Sequence, residues 1–227
     1  TRGMSSAASD VYKRQICGPR AMVTDLRTGG MAGGSGEQAQ TTSLLSQMMH
    51  YYKIPNSSIA GASDSNIPDY QAGYEKALSI ATSAQSGANL ITQASGMLSG
   101  LMGVSLESFV LDNELCGSIL SSMRSIDVPV LTDDLESIRQ VIERDKHFLG
   151  ESDTLKRMST DFDYPKSAKR LSPELWMKEK DNTMLNEARK NLEKILSSNF
   201  NSHLSPEILR KIETDFEINL DVINGQN

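Results

Sequence analysis

The stretch SSIAGASDSNIPDYQAGYEKAL, Ser57 to Leu78, changes character twice. A run of small, mostly apolar residues, SSIAGA, gives way at SDSNIPD to a loop of short polar groups. A segment of helical spacing follows from Tyr70 to Ser86, with Tyr74, Ala77, Leu78, Ala81 and Ala84 three or four residues apart. Asp69 is placed to cap that helix, and Gly87 stands just past its end as a C-cap glycine should. Strand, loop and helix in that order make one βα unit. Gly73 lies inside the helix, where glycine costs about 1 kcal/mol relative to alanine. Its presence predicts a close approach of backbone or ligand, with the loop at the mouth of a barrel.

The same unit recurs on either side. Strand-like runs AMVTDL from Ala21 and ANLIT from Ala88 flank SSIAGA. The first precedes a helix over Glu37–Tyr52, with Leu44, Leu45, Met48, Met49 and Tyr52 on its apolar face. The last precedes a helix over Ser105–Ser125, with Phe109, Val110, Ile119, Leu120 and Met123 inward. Ser35 predicts an N-cap, with Gln38 closing a capping box. Connections from helix back to strand are short, while the long, polar, glycine-rich loops follow strands, as in parallel α/β folds. Those loops carry active sites in both open sheets and closed barrels. The fold class expected is α/β, the later part of a (β/α)8 TIM barrel holding about three βα units over residues 16–125. A helical C-terminal region, 126–227, follows. There, helices begin near Thr132 and Ser152, and each SPE, at Ser172 and Ser205, supplies an N-cap serine and first-turn proline. Residues 1–15, TRGMSSAASDVYKRQ, carry neither periodicity and read as an extraneous segment or a frayed end, so the chain is expected to be a fragment.

Bulk composition excludes several classes. A formal net charge of −6 argues against non-specific nucleic-acid binding. No apolar run is long enough to span a bilayer. Two cysteines, Cys17 and Cys116, lack CxxC spacing and fit a reducing cytoplasm, the expected location. His50, His147 and His203 are scattered, with neither HExxH nor zinc spacing, and no G-x-S-x-G elbow occurs, so no metal ligand set is predicted. Cys116 reads as a buried, inert thiol. Any hard chemistry would therefore be supplied from elsewhere.

Three loops hold the candidate chemistry. In RTGGMAGGSGEQ, Arg27–Gln38, glycines ahead of a helix could cradle an anion or admit a bulky cofactor; a flexible rim loop is the plainer reading. In ASDSNIPD, Asp64 lies just past a strand end, and Gln71, Tyr74 and Glu75 follow, carboxylates near a tyrosine that could hold a cation. QASGMLSGLMGVS, Gln93–Ser105, is rich in adaptable methionine. Glu107, Asp112 and Glu114 on the following helix read as an acidic, solvated face.

GPRAMVTDLRTGGMAGGSGEQA, SIAGASDSNIPDYQAGYEKAL and SGANLITQASGMLSGLMGVSLESFVLDNEL resemble the C-terminal part of the trimethylamine:corrinoid methyltransferase family, as do HFLGESDTLKRM and FDYPK. The resemblance implies a (β/α)8 barrel and transfer of a methyl group from a methylated amine to Co(I) of a separate corrinoid protein. Trimethylamine-specific members carry pyrrolysine, expected within or beside GASDSN, where only ordinary residues stand. Asn66 replaces the family's usual lysine. The missing pyrrolysine favours the glycine betaine methyltransferase-like branch, and position 66 departs from the family pattern. On that reading Asp64 and Glu75 act electrostatically, and Ser63, Gln71 and Tyr74 bind substrate. Gly33, Gly34 and Gly36 make room for the corrin ring of a partner corrinoid protein, and a homo-oligomer is possible. A non-catalytic module binding a corrinoid protein or small cation is one alternative; a phosphate-binding barrel enzyme is another.

Overall fold

Short strands of small residues set the architecture. The computed structural model describes residues 16–125, 131–144, 147–179, 183–198 and 204–216. Strand β1 (Ser57–Ile59) pairs in parallel with β2 (Leu90–Thr92), in the register Ser57 to Leu90, Ser58 to Ile91 and Ile59 to Thr92. On the other side of β1, Cys17 forms an isolated parallel bridge with Asn56: the Cys17 amide donates to Pro55 O at 2.9 Å and Ser57 N donates to Cys17 O at 2.8 Å. Helix α1 (Gly36–Tyr51) precedes β1, α2 (Tyr70–Gln85) connects β1 to β2, and α3 (Leu106–Ser122) follows β2. A mixed α/β fold with parallel pairing and α2 as its crossover is therefore present.

The strand expected over Ala21–Leu26 is absent. Its backbone is satisfied by a side chain: Gln38 accepts from Val23 N at 2.8 Å and donates to Ala21 O at 3.0 Å. That use of Gln38 also breaks the reciprocal half of the expected capping box. Ser35 does cap α1 by accepting Gln38 N at 3.1 Å. Asp69 caps α2 through Ala72 N at 3.0 Å, and Gly87 follows it at φ +84°. The segment expected as a simple loop after β2 folds into a hairpin, β3 (Met97–Leu98) against β4 (Gly103–Val104), around a 3-10 turn at Ser99–Leu101.

The helical period was legible and its phase was not. Helix α1 buries Gln38, Ala39, Thr42 and Ser46, leaving Leu44, Met48 and Tyr52 exposed. Helix α2 buries Ala72, Glu75, Lys76, Ser79, Ile80 and Ser83 and exposes Tyr74 and Leu78. In α3, Ile119 is buried as expected, but Phe109, Leu120 and Met123 are exposed. The reason lies in the strand region, whose Ser57, Ser58, Ala60, Ala62 and Ser63 project too little volume to receive large side chains. Small polar helix residues approach closely instead, and each finds a partner, as buried polar groups must. Ser79 Oγ accepts Gly61 N at 3.0 Å, Ser83 bonds Ser58, and Ser46 bonds Asn56 at 3.3 Å. The apolar nucleus is correspondingly small: Ala60, Ile80 and Ile119, with Ala81, Ala84, Ile91, Ala94, Leu115 and Cys116 around them.

The acidic residues of α3 do not form a solvated face. Asp112 is buried against Lys76, Glu107 pairs with Arg189 at 3.4 Å, and Glu114 accepts the amides of Lys166, Ser167 and Ala168 at 3.2, 2.7 and 2.9 Å. Consecutive amides aimed at one carboxylate satisfy an otherwise irregular backbone.

Among the described residues after α3 the regular elements are helices, α4 (Leu131–Arg144), α5 (Ser152–Thr160), α6 (Pro173–Lys178), α7 (Met184–Ser197) and α8 (Pro206–Phe216), joined by irregular segments. Both SPE motifs start helices, with Ser172 accepting Leu175 N and Ser205 accepting Ile208 N, each at 3.4 Å. The chain divides into two units, Thr1–Arg189 and Lys190–Asn227. The segment 1–15 and His203 fall outside the described residues. Among the described residues, no helix is long and apolar enough to cross a membrane.

Candidate active site

Because β1 and β2 are parallel, their C-terminal ends face the same way, and the loops that leave them meet. Gly100 N donates to Ser63 O at 2.9 Å, Ser99 N to Ser65 O at 2.8 Å, and Ser99 Oγ to Asn66 Oδ1 at 2.7 Å. The glycine loop ahead of α1 joins the same rim, where Gly33 N and Gly34 N donate to the two oxygens of Asp64 at 2.9 and 3.2 Å. Three segments far apart in sequence thus form one surface.

Glu75 organises this rim. It is 4% exposed and sits on the second turn of α2. Its Oε2 accepts Ser63 Oγ at 2.7 Å and Asp64 N at 2.8 Å, while Oε1 accepts Gln71 Nε2 at 2.9 Å and the Tyr74 hydroxyl at 3.5 Å. All five expected substrate-side residues, Ser63, Asp64, Gln71, Tyr74 and Glu75, are therefore in one hydrogen-bonded cluster. Ser65 extends it, its amide donating to Ser63 Oγ at 3.0 Å and its hydroxyl to Asp69 Oδ1 at 2.9 Å. Burial pushes the Asp64 carboxyl above its ordinary range, against the pull of the Gly34 amide; the Glu75 charge adds to the rise and the Gly33 amide opposes it. Burial and then the Glu75 charge also raise the Tyr74 hydroxyl, keeping it a neutral donor.

The glycines divide. A Cβ on Gly34 would overlap the Glu75 carboxyl, and one on Gly33 would meet Met31 Cε at 2.9 Å. The close approach to a site carboxylate is therefore at Gly34 alone. Gly36 opens α1 with nothing within 4 Å of where a Cβ would stand, and so does Gly73, where no backbone comes close. The amides an anion would need at this loop are both given to Asp64, which removes the basis for a phosphate cradle. Among the described residues no cluster of His, Cys, Asp and Glu could hold a metal ion. Cys116 is only partly buried, its thiol raised by that burial, and His50 bonds Gly87 O at 2.8 Å away from the cluster.

Sequence reasoning missed Ser65, Ser99 and Gly100, whose roles depend on which loops meet. No local sequence pattern marks them; in the structure the loop carries left-handed backbone at Gln93, Ser99 and Leu101, with φ values of 65°, 51° and 74°. Such backbone costs about 1–3 kcal/mol per residue and persists where surroundings over-determine it.

Residues 13–219 match the model of the family described as trimethylamine methyltransferase (MTTB). The chain belongs to this family. A glycine betaine methyltransferase of Desulfitobacterium hafniense (strain Y51) is 31% identical over 202 residues, covering 87% of this chain and 41% of that protein. Trimethylamine methyltransferase MttB of Methanosarcina thermophila is 34% identical over 143 residues, 63% of this chain and 28% of the relative. The same-named protein of Methanosarcina barkeri (strain Fusaro / DSM 804) is 35% identical over 117 residues, 52% and 23% of the two lengths. The chain thus spans less than half the length of these members of the trimethylamine methyltransferase family.

Proposed function

We propose that the rim binds a methylated ammonium cation and presents one of its methyl groups to the Co(I) of a corrinoid carried by a separate protein. Glycine betaine is the substrate preferred over trimethylamine. The observation that carries this reading is the pairing of Asp64 and Glu75: two carboxylates share one desolvated cluster, and among the described residues no counter-cation is bonded to either. A cation is the complement such a site lacks. The relatives named as glycine betaine and trimethylamine methyltransferases support a methylated amine. The loop Ala62–Asn66 holds only ordinary residues and no pyrrolysine, which favours the quaternary substrate. The strands, crossover and post-strand loops fit the later part of a (β/α)8 barrel, in which such loops line the catalytic face.

A quaternary ammonium leaves as a neutral amine, so the chain need supply neither acid nor metal. Co(I) of the partner corrinoid supplies the nucleophile. Asp64 balances the positive charge while its own oxygens stay fixed by the Gly33 and Gly34 amides. Glu75 sets Ser63, Gln71 and Tyr74 in place, Tyr74 turning its ring to the cation and Gln71 orienting the substrate. Gly34 allows the Glu75 carboxylate to close on the loop. Gly36 and Gly73 leave the neighbouring surface bare where a flat macrocycle must approach, and exposed Ile67 and Met102 add an apolar border.

The test is conversion of glycine betaine to dimethylglycine by the purified chain with a corrinoid protein reduced to Co(I), followed by mass spectrometry. Product formation that falls at least tenfold in Asp64→Asn is expected. Turnover indifferent to that substitution would overturn the assignment. A second reading is a module that binds the cation without turnover. Saturable betaine binding with no dimethylglycine would select it.

A further inference from the structure

Beside Glu75, on the next residue of α2, stands the largest fully buried side chain, Lys76. Its Nζ lies 2.5 Å from Asp112 Oδ2 on α3, and the two side chains are 2% and 7% exposed. The same Asp112 oxygen accepts the amide of Gly96 at 2.7 Å. Gly96 sits at φ +79°, hard against the face of Phe109, and its carbonyl accepts Ser105 N at 3.0 Å. A side chain at 96 would strike that ring, so the backbone here is held in one place from both directions. Three residues on, Ser99 and Gly100 donate to the carbonyls of Ser65 and Ser63.

We propose, resting on the reading of the rim given above, that Lys76 and Asp112 are positioning residues. Asp112 anchors the loop after β2 through the Gly96 amide, and Lys76 fixes Asp112. Adjacent residues of one helix then set the two halves of the rim: Glu75 the loop after β1, Lys76 the loop after β2. A buried ion pair is weak evidence for stability in itself, because desolvation offsets the attraction, and well-packed apolar replacements are often neutral. What an apolar pair could not replace is the acceptor for Gly96. That difference makes the proposal testable apart from folding.

Two double variants separate the roles. Lys76→Met with Asp112→Asn removes both charges and keeps an oxygen for the Gly96 amide; Lys76→Met with Asp112→Leu removes the oxygen as well. Hydrogen exchange at the amides of Gly96, Ser99 and Gly100, thermal melting, and betaine-dependent turnover are compared with the parent chain. The Asn variant is expected to keep exchange rates within about threefold of the parent. The Leu variant, melting within a few degrees of the Asn variant, is expected to exchange at those three amides at least tenfold faster and to lose at least tenfold in kcat with KM little changed. Unchanged exchange in the Leu variant would overturn the proposal. So would a uniform loss of protection over the whole chain, or failure of the Leu variant alone to fold, since each marks a purely structural pair. Faster exchange confined to the three amides, in a chain whose parent shows no turnover, would uphold the anchoring and count against the catalytic reading of the rim.

Discussion

Asp64 carries two opposed effects in one side chain. Two backbone amides favour its ionised form, while burial and the Glu75 charge disfavour it more, so its carboxyl titrates above the ordinary range. In the window between its unfolded and folded pKa values the native chain binds more protons than the unfolded one. Stability contributed by this group therefore falls as pH rises through that window. Asp64→Asn should narrow its stability deficit, or gain stability, relative to the parent as pH rises from about 4 towards neutrality in urea titrations at stepped pH. Cation binding should follow the opposite course in the parent, strengthening as Asp64 ionises, and should lose that pH dependence in the Asn variant. At the neighbouring glycine, Gly34→Ala places a methyl on the Glu75 carboxyl. By analogy with overpacked cores it should cost about 1–3 kcal/mol, measured by urea denaturation. An equally stable variant would mean that the loop can move away from Glu75.

Helix ends were legible in the sequence because capping is local chemistry. Ser35, Asp69, Ser172 and Ser205 each cap as their residue type and position imply. Which face each helix buries was not legible, because it depends on what lies opposite. The large apolar residues of α1 pointed to Leu44 and Met48, yet the partner surface is serine and alanine, and Thr42 and Ser46 fit against it. For the same reason Lys76 and Asp112 look like surface charges in isolation; only the packing of α2 on α3 brings them together. Gln38 gave the capping signal and then spent its amide on residues 21–23, which is a tertiary use no local pattern reveals. Removing the double-purpose cap is informative. Asp69→Ala should cost about 0.5–2 kcal/mol in thermal or urea unfolding. It should also speed exchange at Ser65 and Ile67, because Asp69 accepts Ser65 Oγ as well as Ala72 N. A loss of stability without that local change would separate the cap from the loop.

At the scale of the molecule, the order of strand, loop and helix carried the central inference. Parallel strands place successive post-strand loops at one end, so the convergence of residues 61–66 and 94–100 follows from topology once the βα units are recognised, while residues 31–34 join them through Asp64 with no strand before them. The strand lengths did not follow: β1 and β2 are each three residues, and residue 17 pairs where a strand from Ala21 was expected. The common rim and its two carboxylates, which have no counter-cation among the described residues, are what the functional reading depends on. The measurement that tests them most directly is an NMR titration of the chain with tetramethylammonium chloride, a quaternary cation with no carboxylate of its own. Saturable shifts centred on the amides of Gly33, Gly34, Asp64, Ser99 and Gly100, weakened at least tenfold by Asp64→Asn, are predicted. Shifts elsewhere on the chain, or binding that Asp64→Asn leaves intact, would contradict it.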